Sequence, residues 1–206
     1  MPGSKPMPAV RAAETCGRPV RVQWEGDAYQ ERFDRIAASG KDVHGEATFV
    51  RAFDPSSVLD AGCGTGRVAV ELARHRIDVV GVDVDRSMLD TARSRAPDLS
   101  WIEADLRMFD LGRTFDVVVM AGNVPLFTPP GTQTELVAAV ARHVADDGVL
   151  VAGFSTDWSD RPYDVESYDR ACADAGLVLA ERFSTWDRQP WTDDSTYAVS
   201  VHRRAD

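Results

Sequence analysis

Three carboxylates and one run of alternate glycines carry the chemical signal in this chain. Val58-Leu59-Asp60 leads into Ala61-Gly62-Cys63-Gly64-Thr65-Gly66. An apolar run ending in an acid and then in glycines reads as a buried strand opening onto a loop and a helix. Glycine lets the backbone take positive φ and come close to a ligand, and the helix that follows points its free N–H groups into that space. A dinucleotide loop runs G-x-G-x-x-G, with the last glycine packing helix on strand. Here the order is G-x-G-x-G, and Arg67 stands where that last glycine belongs. Asp60, just ahead of the loop, suits an ammonium group better than a pyrophosphate. The loop therefore fits a ligand with a cationic amino-acid end. Asp83 closes the next apolar run, Gly81-Val82-Asp83, 21 residues after Gly62. An acid there accepts hydrogen bonds from ribose hydroxyls. Asp105, in Ala104-Asp105-Leu106, follows the third run and can accept from an exocyclic adenine amine while the next amide donates to a ring nitrogen.

These residues need elements that bring them to one edge. Strands are expected at Ser57–Asp60, Asp78–Asp83, Leu99–Glu103, Phe115–Ala121 and Gly148–Ser155. Helices are expected between them at Arg67–His75, Ser87–Arg95 and Thr132–His143, with another at Val165–Ala175. Phe115–Ala121 is continuously apolar, as in a strand buried on both faces. Leu177–Trp186 and Ser195–His202 are strand-like and too close together for a parallel crossover, so they pair antiparallel. Ahead of all this, Tyr29, Phe33, Ile36 and Ala37 fall at helical spacing, and a second short helix is expected around Asp42–Phe53. The expected architecture is α/β: a mostly parallel sheet with helices on both faces. Residues 1–22 read as a flexible tail, 23–54 as a helical cap and 55–206 as the core, with 23–206 forming one domain.

The chain has 206 residues, 23 Lys and Arg against 33 Asp and Glu, and a net charge of −10. That balance opposes general nucleic-acid binding, which draws on basic groups, and opposes attachment to anionic lipid. Its four basic residues Lys5, Arg11, Arg18 and Arg21 against Glu14 make the first 24 residues an exception. No apolar run approaches the ~18 residues that span a bilayer. Residues 1–10 have no signal-peptide core. Cys16, Cys63 and Cys172 are too few and scattered for a disulfide framework or a zinc site. A reducing, cytoplasmic setting with no metal and no membrane is expected.

The constellation resembles the class I S-adenosylmethionine-dependent methyltransferases, a Rossmann-like family. VLDAGCGTGRVAVELA is similar to their first motif and GVDVDRSMLDTAR to the second, with WIEADLRMFDL and FDVVVMAGNVPLF similar to the next two. The resemblance covers roughly residues 54–154. It implies a three-layer fold with a seven-stranded sheet of order 3-2-1-4-5-7-6, strand 7 antiparallel. It also implies S-adenosylmethionine as cofactor. Asp60, Gly62, Cys63, Gly64 and Gly66 would then hold the methionine part and Asp83 the ribose. Val84 and Met88 would flank the adenine, Asp105 and the Leu106 amide would read its edge, and Asn123 would lie near the methyl group.

The implied reaction is transfer of the methyl group, by in-line displacement, to a small molecule at oxygen or nitrogen. Asn123 lies in AGNVPLF, which lacks the Asn/Asp-Pro-Pro-aromatic motif of enzymes that methylate DNA amines. No Pro-Cys nucleophile is present either. Asn123 and, as a candidate base, His44 are the catalytic candidates. Four of the five tryptophans, Trp24, Trp158, Trp186 and Trp191, fall in the cap and the late loops that would roof an acceptor. Tyr29, Phe33, Trp158, Trp186 and Arg188 are candidate acceptor contacts. Two other readings stand beside this one: a cofactor-binding domain without turnover, and a nicotinamide-dependent oxidoreductase, which the glycine order and Asp60 disfavour.

Overall fold

Strands of unbroken Val, Leu and Ile can persist only where both faces are covered, and two sets of helices cover them here. The fold is described from a computed structural model for residues 25–38, 43–158 and 163–205, with the side chains of 32–34 and 36–38 outside that description. The elements run α1 (Gly26–Ala38), α2 (Gly45–Arg51), β1 (Ser57–Ala61), α3 (Arg67–Arg74), β2 (Asp78–Asp83), α4 (Arg86–Arg95) and β3 (Ser100–Glu103). Then follow β4 (Phe115–Met120), α5 (Val124–Phe127), α6 (Gln133–Ala141), β5 (Val144–Ser155), α7 (Val165–Asp174), β6 (Leu177–Phe183) and β7 (Tyr197–Arg204). The tail at 1–22 and Trp24 lie outside the described residues.

The seven strands form one sheet in the order β3-β2-β1-β4-β5-β7-β6, with β7 antiparallel to both neighbours. This is the expected Rossmann-like arrangement. Pleating sends successive residues of a strand to opposite faces. Val117 and Val119 of β4 accordingly pack with Val58, Val79, Val149, Val151, α2 and α3. Val118 and Met120 pack on the other face with Leu59, Leu150, α6 and α7.

Several expected boundaries move, β7 among them, which runs Tyr197–Arg204 rather than Ser195–His202. Strand β5 starts at Val144 rather than Gly148, because Val144 pairs with Phe115 before a register shift. Strand β6 stops at Phe183 rather than Trp186, where Phe183 bridges to Pro190 and the chain turns. Helix α2 is limited to Gly45–Arg51. The expected loop after β4 contains the short helix α5, with Pro125 in its first turn and Asn123 ahead of it in the left-handed region, φ +69°. Proline suits a first helical turn because its missing N–H has no helical partner there.

Trp101 of β3 lies across two glycines. Its indole Nε1–H donates to the Ala96 carbonyl at 2.8 Å, and its ring occupies the places where side chains on Gly66 and Gly81 would be. A methyl group on Gly81 would also sit 3.0 Å from Cys63 Sγ. Gly81→Ala should therefore cost about 1–3 kcal/mol through overpacking. Much less should be lost in a Trp101→Leu background, since contacting residues do not add. Urea denaturation of the four proteins checks this, and equal costs in both backgrounds would contradict it.

Candidate active site

The β1–α3 loop is built by hydrogen bonds that bend it over β2. Gly62 and Cys63 both donate N–H to the Val82 carbonyl, at 2.8 and 3.1 Å, and Gly66 donates to the Cys63 carbonyl at 2.9 Å. This path places Gly62, Gly64 and Gly66 at φ +84°, +53° and +76°, where residues with a Cβ are strained. Packing separates the three. A Cβ on Gly62 would lie 2.5 Å from Val124, and one on Gly66 would strike Trp101. A Cβ on Gly64 would meet nothing within 4 Å. The middle glycine thus faces an open cradle, and the outer two are closed by packing. Cys63 is buried, with its sulfur turned down toward Gly81, so only its backbone faces the cradle.

Asp83, at the end of β2, spans the cradle's second side. One oxygen accepts the Gly64 N–H and the other the Asp85 N–H, both at 2.8 Å. Burial raises its pKa, and those two backbone donors partly offset the rise. Asp60 lies deeper. It is 1% exposed and accepts the Ala69 N–H at 3.2 Å. Burial pushes its pKa up to about 7, against the pull of the Ala69 amide and Arg67, with Asp83 and Glu46 adding to the rise. Asp60 and Asp83 thus make this end of the sheet acidic, a setting that suits an ammonium group.

The remaining cofactor candidates follow along the same edge. Val84 is 46% exposed and offers an apolar surface beside Asp83, while Met88 is buried behind it. Asp85 caps α4 by accepting from the Ser87 and Met88 amides. Asp105 is held by Arg107, whose Nε lies 3.0 Å from Oδ1. Leu106 is buried. Asn123 stands at the rim. Its N–H donates to the Gly153 carbonyl at 2.9 Å, and its Oδ1 accepts the Ser155 N–H at 2.7 Å. Those bonds tie the start of α5 to β5 and set Val124 against Gly62.

The cap helices reach this loop through contacts that the sequence did not disclose. Gln30 of α1 is buried and accepts from Thr65 Oγ1 at 2.7 Å and from Arg95 at 2.8 Å. Arg67, the first residue of α3, forms a double hydrogen bond with Glu46 of α2 and also reaches the Val43 carbonyl. Burial disfavours its charge, but the Glu46 pair outweighs this and raises its pKa. Tyr29 lies close enough to act electrostatically on Arg67 and on Tyr197. The one available hint was Arg67 itself, in the place of a glycine.

The acceptor candidates separate in space. Trp186 lies over Gly153, packs edge-on to Phe49 with centroids 5.4 Å apart, and donates to the Tyr197 hydroxyl at 3.3 Å. Trp158 packs edge-on against Phe127, beyond α5. Arg188 stacks over Phe49, 4.4 Å from its centroid, and lies 3.7 Å from Glu181. His44 precedes α2 with Nδ1 3.7 Å from Glu71, on the flank of α3. The Phe33 side chain lies outside the described residues.

Two depressions open near these elements. One of about 450 Å³ lies at the amino ends of the strands, among Asp54, Asp116, Asp146 and Asp147. The other, about 370 Å³, lies between Glu46, Trp186 and Tyr197 at the carboxyl ends. Ligands of open α/β sheets bind at the carboxyl ends, where Asp60, Asp83 and Asp105 lie.

A seven-stranded Rossmann-like sheet of this order, with the glycine loop and acids at its carboxyl edge, defines a class of methyltransferase fold. Comparison with known proteins agrees. A methyltransferase-domain family model matches residues 58–148. The crystal structure of a TehB-like SAM-dependent methyltransferase from Corynebacterium glutamicum superposes with a TM-score of 0.81 at 32% identity, covering 87% of this chain and 98% of that one. Two sugar-nucleotide N,N-dimethyltransferases also align. The dTDP-3-amino-3,6-dideoxy-alpha-D-glucopyranose enzyme of Streptomyces fradiae is 40% identical over 134 residues, 59% of this chain and 51% of that protein. The dTDP-3-amino-3,4,6-trideoxy-alpha-D-glucopyranose enzyme of Streptomyces venezuelae is 36% identical over 119 residues, 54% and 50%. The chain spans about half the length of these curated relatives. It belongs to the S-adenosylmethionine-dependent methyltransferases, and S-adenosylmethionine is its cofactor.

Asp60 gives the sharpest test of the cradle. The unfolded chain releases this proton near pH 4 and the folded chain near pH 7. Above pH 7 the fold therefore carries the full cost of the buried charge, on the order of 2–4 kcal/mol. Asp60→Asn should raise the melting temperature at pH 8, with the gain shrinking as pH falls toward 4. It should also weaken S-adenosylhomocysteine binding about tenfold or more, since the ligand ammonium loses its charged partner. Thermal melts across pH and calorimetric titration read the two effects. A pH-independent change in stability would contradict the assignment.

Proposed function

We propose that this chain transfers the methyl group of S-adenosylmethionine to a small, soluble organic acceptor at nitrogen or oxygen. One observation carries the reading. The open Gly64 cradle, bonded to Asp83 and joined through Gly62 to Val124, the residue after Asn123, lies near Asn123, which is bonded to the same Gly153 that Trp186 and Tyr197 cover. Cofactor cradle and aromatic depression thus share a rim.

Bound S-adenosylmethionine supplies a methyl group already activated by its sulfonium. The protein's work is then positioning and a dry site. In this reading Asp60 holds the amino-acid end through its charge. Asp83 keeps the loop in shape through Gly64 and presents its remaining lone pairs to the ribose hydroxyls. Val84 and Met88 give the adenine an apolar seat, and Asp105 with the Leu106 amide meets its edge. Asn123 fixes the distance between cradle and acceptor by locking α5 to β5. Residues 23–206 act as one unit, with α1 and α2 closing over the loop through Gln30 and Arg67.

The aligned sugar-nucleotide N,N-dimethyltransferases support a small acceptor, as does the acidic composition, which suits neither nucleic acid nor anionic lipid. No helix of the described residues is long and apolar enough to cross a membrane, and a cytoplasmic setting accords with this. A nicotinamide reading is opposed by Arg67, which fills the third glycine position and is committed to Glu46.

The test is transfer of labelled methyl from S-adenosylmethionine into the small-molecule fraction of a cell extract. The expected result is label in a small product, with transfer at limiting cofactor falling at least tenfold in Asp83→Ala. Tight cofactor binding with no label leaving it would instead identify a domain without turnover.

A further inference from the structure

We infer that the depression between α2 and the β6–β7 hairpin is the acceptor pocket, that Tyr197 donates a hydrogen bond to the acceptor there, and that the pocket selects an amine or hydroxyl compound over an acid. The inference rests on the methyl-transfer reading above and names the substrate class and the residue that receives it.

Tyr197 opens β7 and pairs with Ser155 at the top of β5. Its hydroxyl stands 2.7 Å from where a Cβ on Gly153 would be, beside the Trp186 ring. Only glycine leaves room for both groups, so residue 153 is shaped for this contact. The phenol oxygen accepts the Trp186 indole N–H at 3.3 Å. That bond uses a lone pair and leaves the phenol's own proton, for which the described residues provide no acceptor. A half-buried donor whose proton has no acceptor among the described residues, on a side chain that lines a depression of about 370 Å³, is a site for a ligand atom with a lone pair. Burial raises the tyrosine pKa, the Trp186 bond partly offsetting it. Tyr197 therefore stays protonated at working pH and acts as a donor, not as a base.

The rest of the lining sets the charge preference. Glu46 and Arg67 cancel each other in their double hydrogen bond. Arg188 is turned away over Phe49 and toward Glu181. Asp187, also in the lining, is exposed and has no ion-pair partner among the described residues. The Ser184 and Thr185 hydroxyls line the same wall. Among the described residues of its lining, the pocket thus offers one unpaired negative charge and no unpaired positive one. An anionic acceptor would meet Asp187 without compensation, whereas a protonated amine would find Asp187 and a hydroxyl oxygen would find the Tyr197 donor.

Ion exchange of the small-molecule extract separates this claim from the parent reading. The probe is the extract itself, split into a cationic and neutral fraction and an anionic fraction, each offered with methyl-labelled S-adenosylmethionine. Label should enter the cationic and neutral fraction. Tyr197→Phe should raise the concentration of that fraction needed for half-maximal rate about tenfold, with smaller change in the maximal rate. Asp187→Asn should act in the same direction. Both variants should keep the wild-type S-adenosylhomocysteine affinity, and Asp187→Asn the wild-type melting temperature, while Tyr197→Phe loses some stability because the Trp186 indole N–H loses its acceptor. Label confined to the anionic fraction, or a Tyr197→Phe protein that matches wild type at every extract concentration, would overturn the inference and leave methyl transfer standing. Wild-type protein that labels neither fraction would refute methyl transfer itself, and this inference with it.

Discussion

Everything at the site depends on a loop whose path calls for glycine. The chain must leave β1, cross the end of β2 and enter α3 within a few residues, and it does so through three left-handed positions. The neighbours then close two of the three. Val124 fills the space at Gly62 and Trp101 the space at Gly66, which leaves Gly64 alone open. The cradle is as much a product of α5 and β3 as of the loop. Asn123 belongs to the same construction, since its bonds to Gly153 and Ser155 hold Val124 in place.

Electrostatics adds a second constraint that works against the fold. Asp60 is buried beneath α3 with Asp83 and Glu46 near it and one direct amide donor. Unpaired charges at this depth cost stability. A site kept unfavourable in the free protein becomes favourable when a cation arrives. The Glu46–Arg67 pair joins the cap to the first turn of α3, so the cap is anchored on the helix that the glycine loop opens.

The antiparallel hairpin of β6 and β7 and the edge occupied by Asp60, Asp83 and Asp105 were legible in the sequence because each rests on local signals: apolar runs, a short connection, glycine spacing and an acid at a strand end; the strand order came only with the family resemblance. Legibility failed where a residue's partner is distant. Gln30 reaches Thr65 and Arg95, Glu46 reaches Arg67, and Tyr197 reaches Trp186 and Gly153, and no periodicity records such pairings. Short elements were also missed, since the four residues of α5 fall below any helical period. Among the acceptor candidates, spacing could assemble the tryptophans into one roof, but packing divides them. Trp186 joins Tyr197 over β5, Trp158 pairs with Phe127 beyond α5, and Arg188 is absorbed by Phe49.

The central claim is that the open glycine and its flanking acids are built for a cationic amino-acid nucleoside without phosphates. Calorimetric titration of the purified chain with S-adenosylhomocysteine and, separately, with NAD measures it directly. The account requires saturable binding of S-adenosylhomocysteine, one per chain, with no comparable binding of NAD. Tight binding of NAD with none of S-adenosylhomocysteine would contradict it.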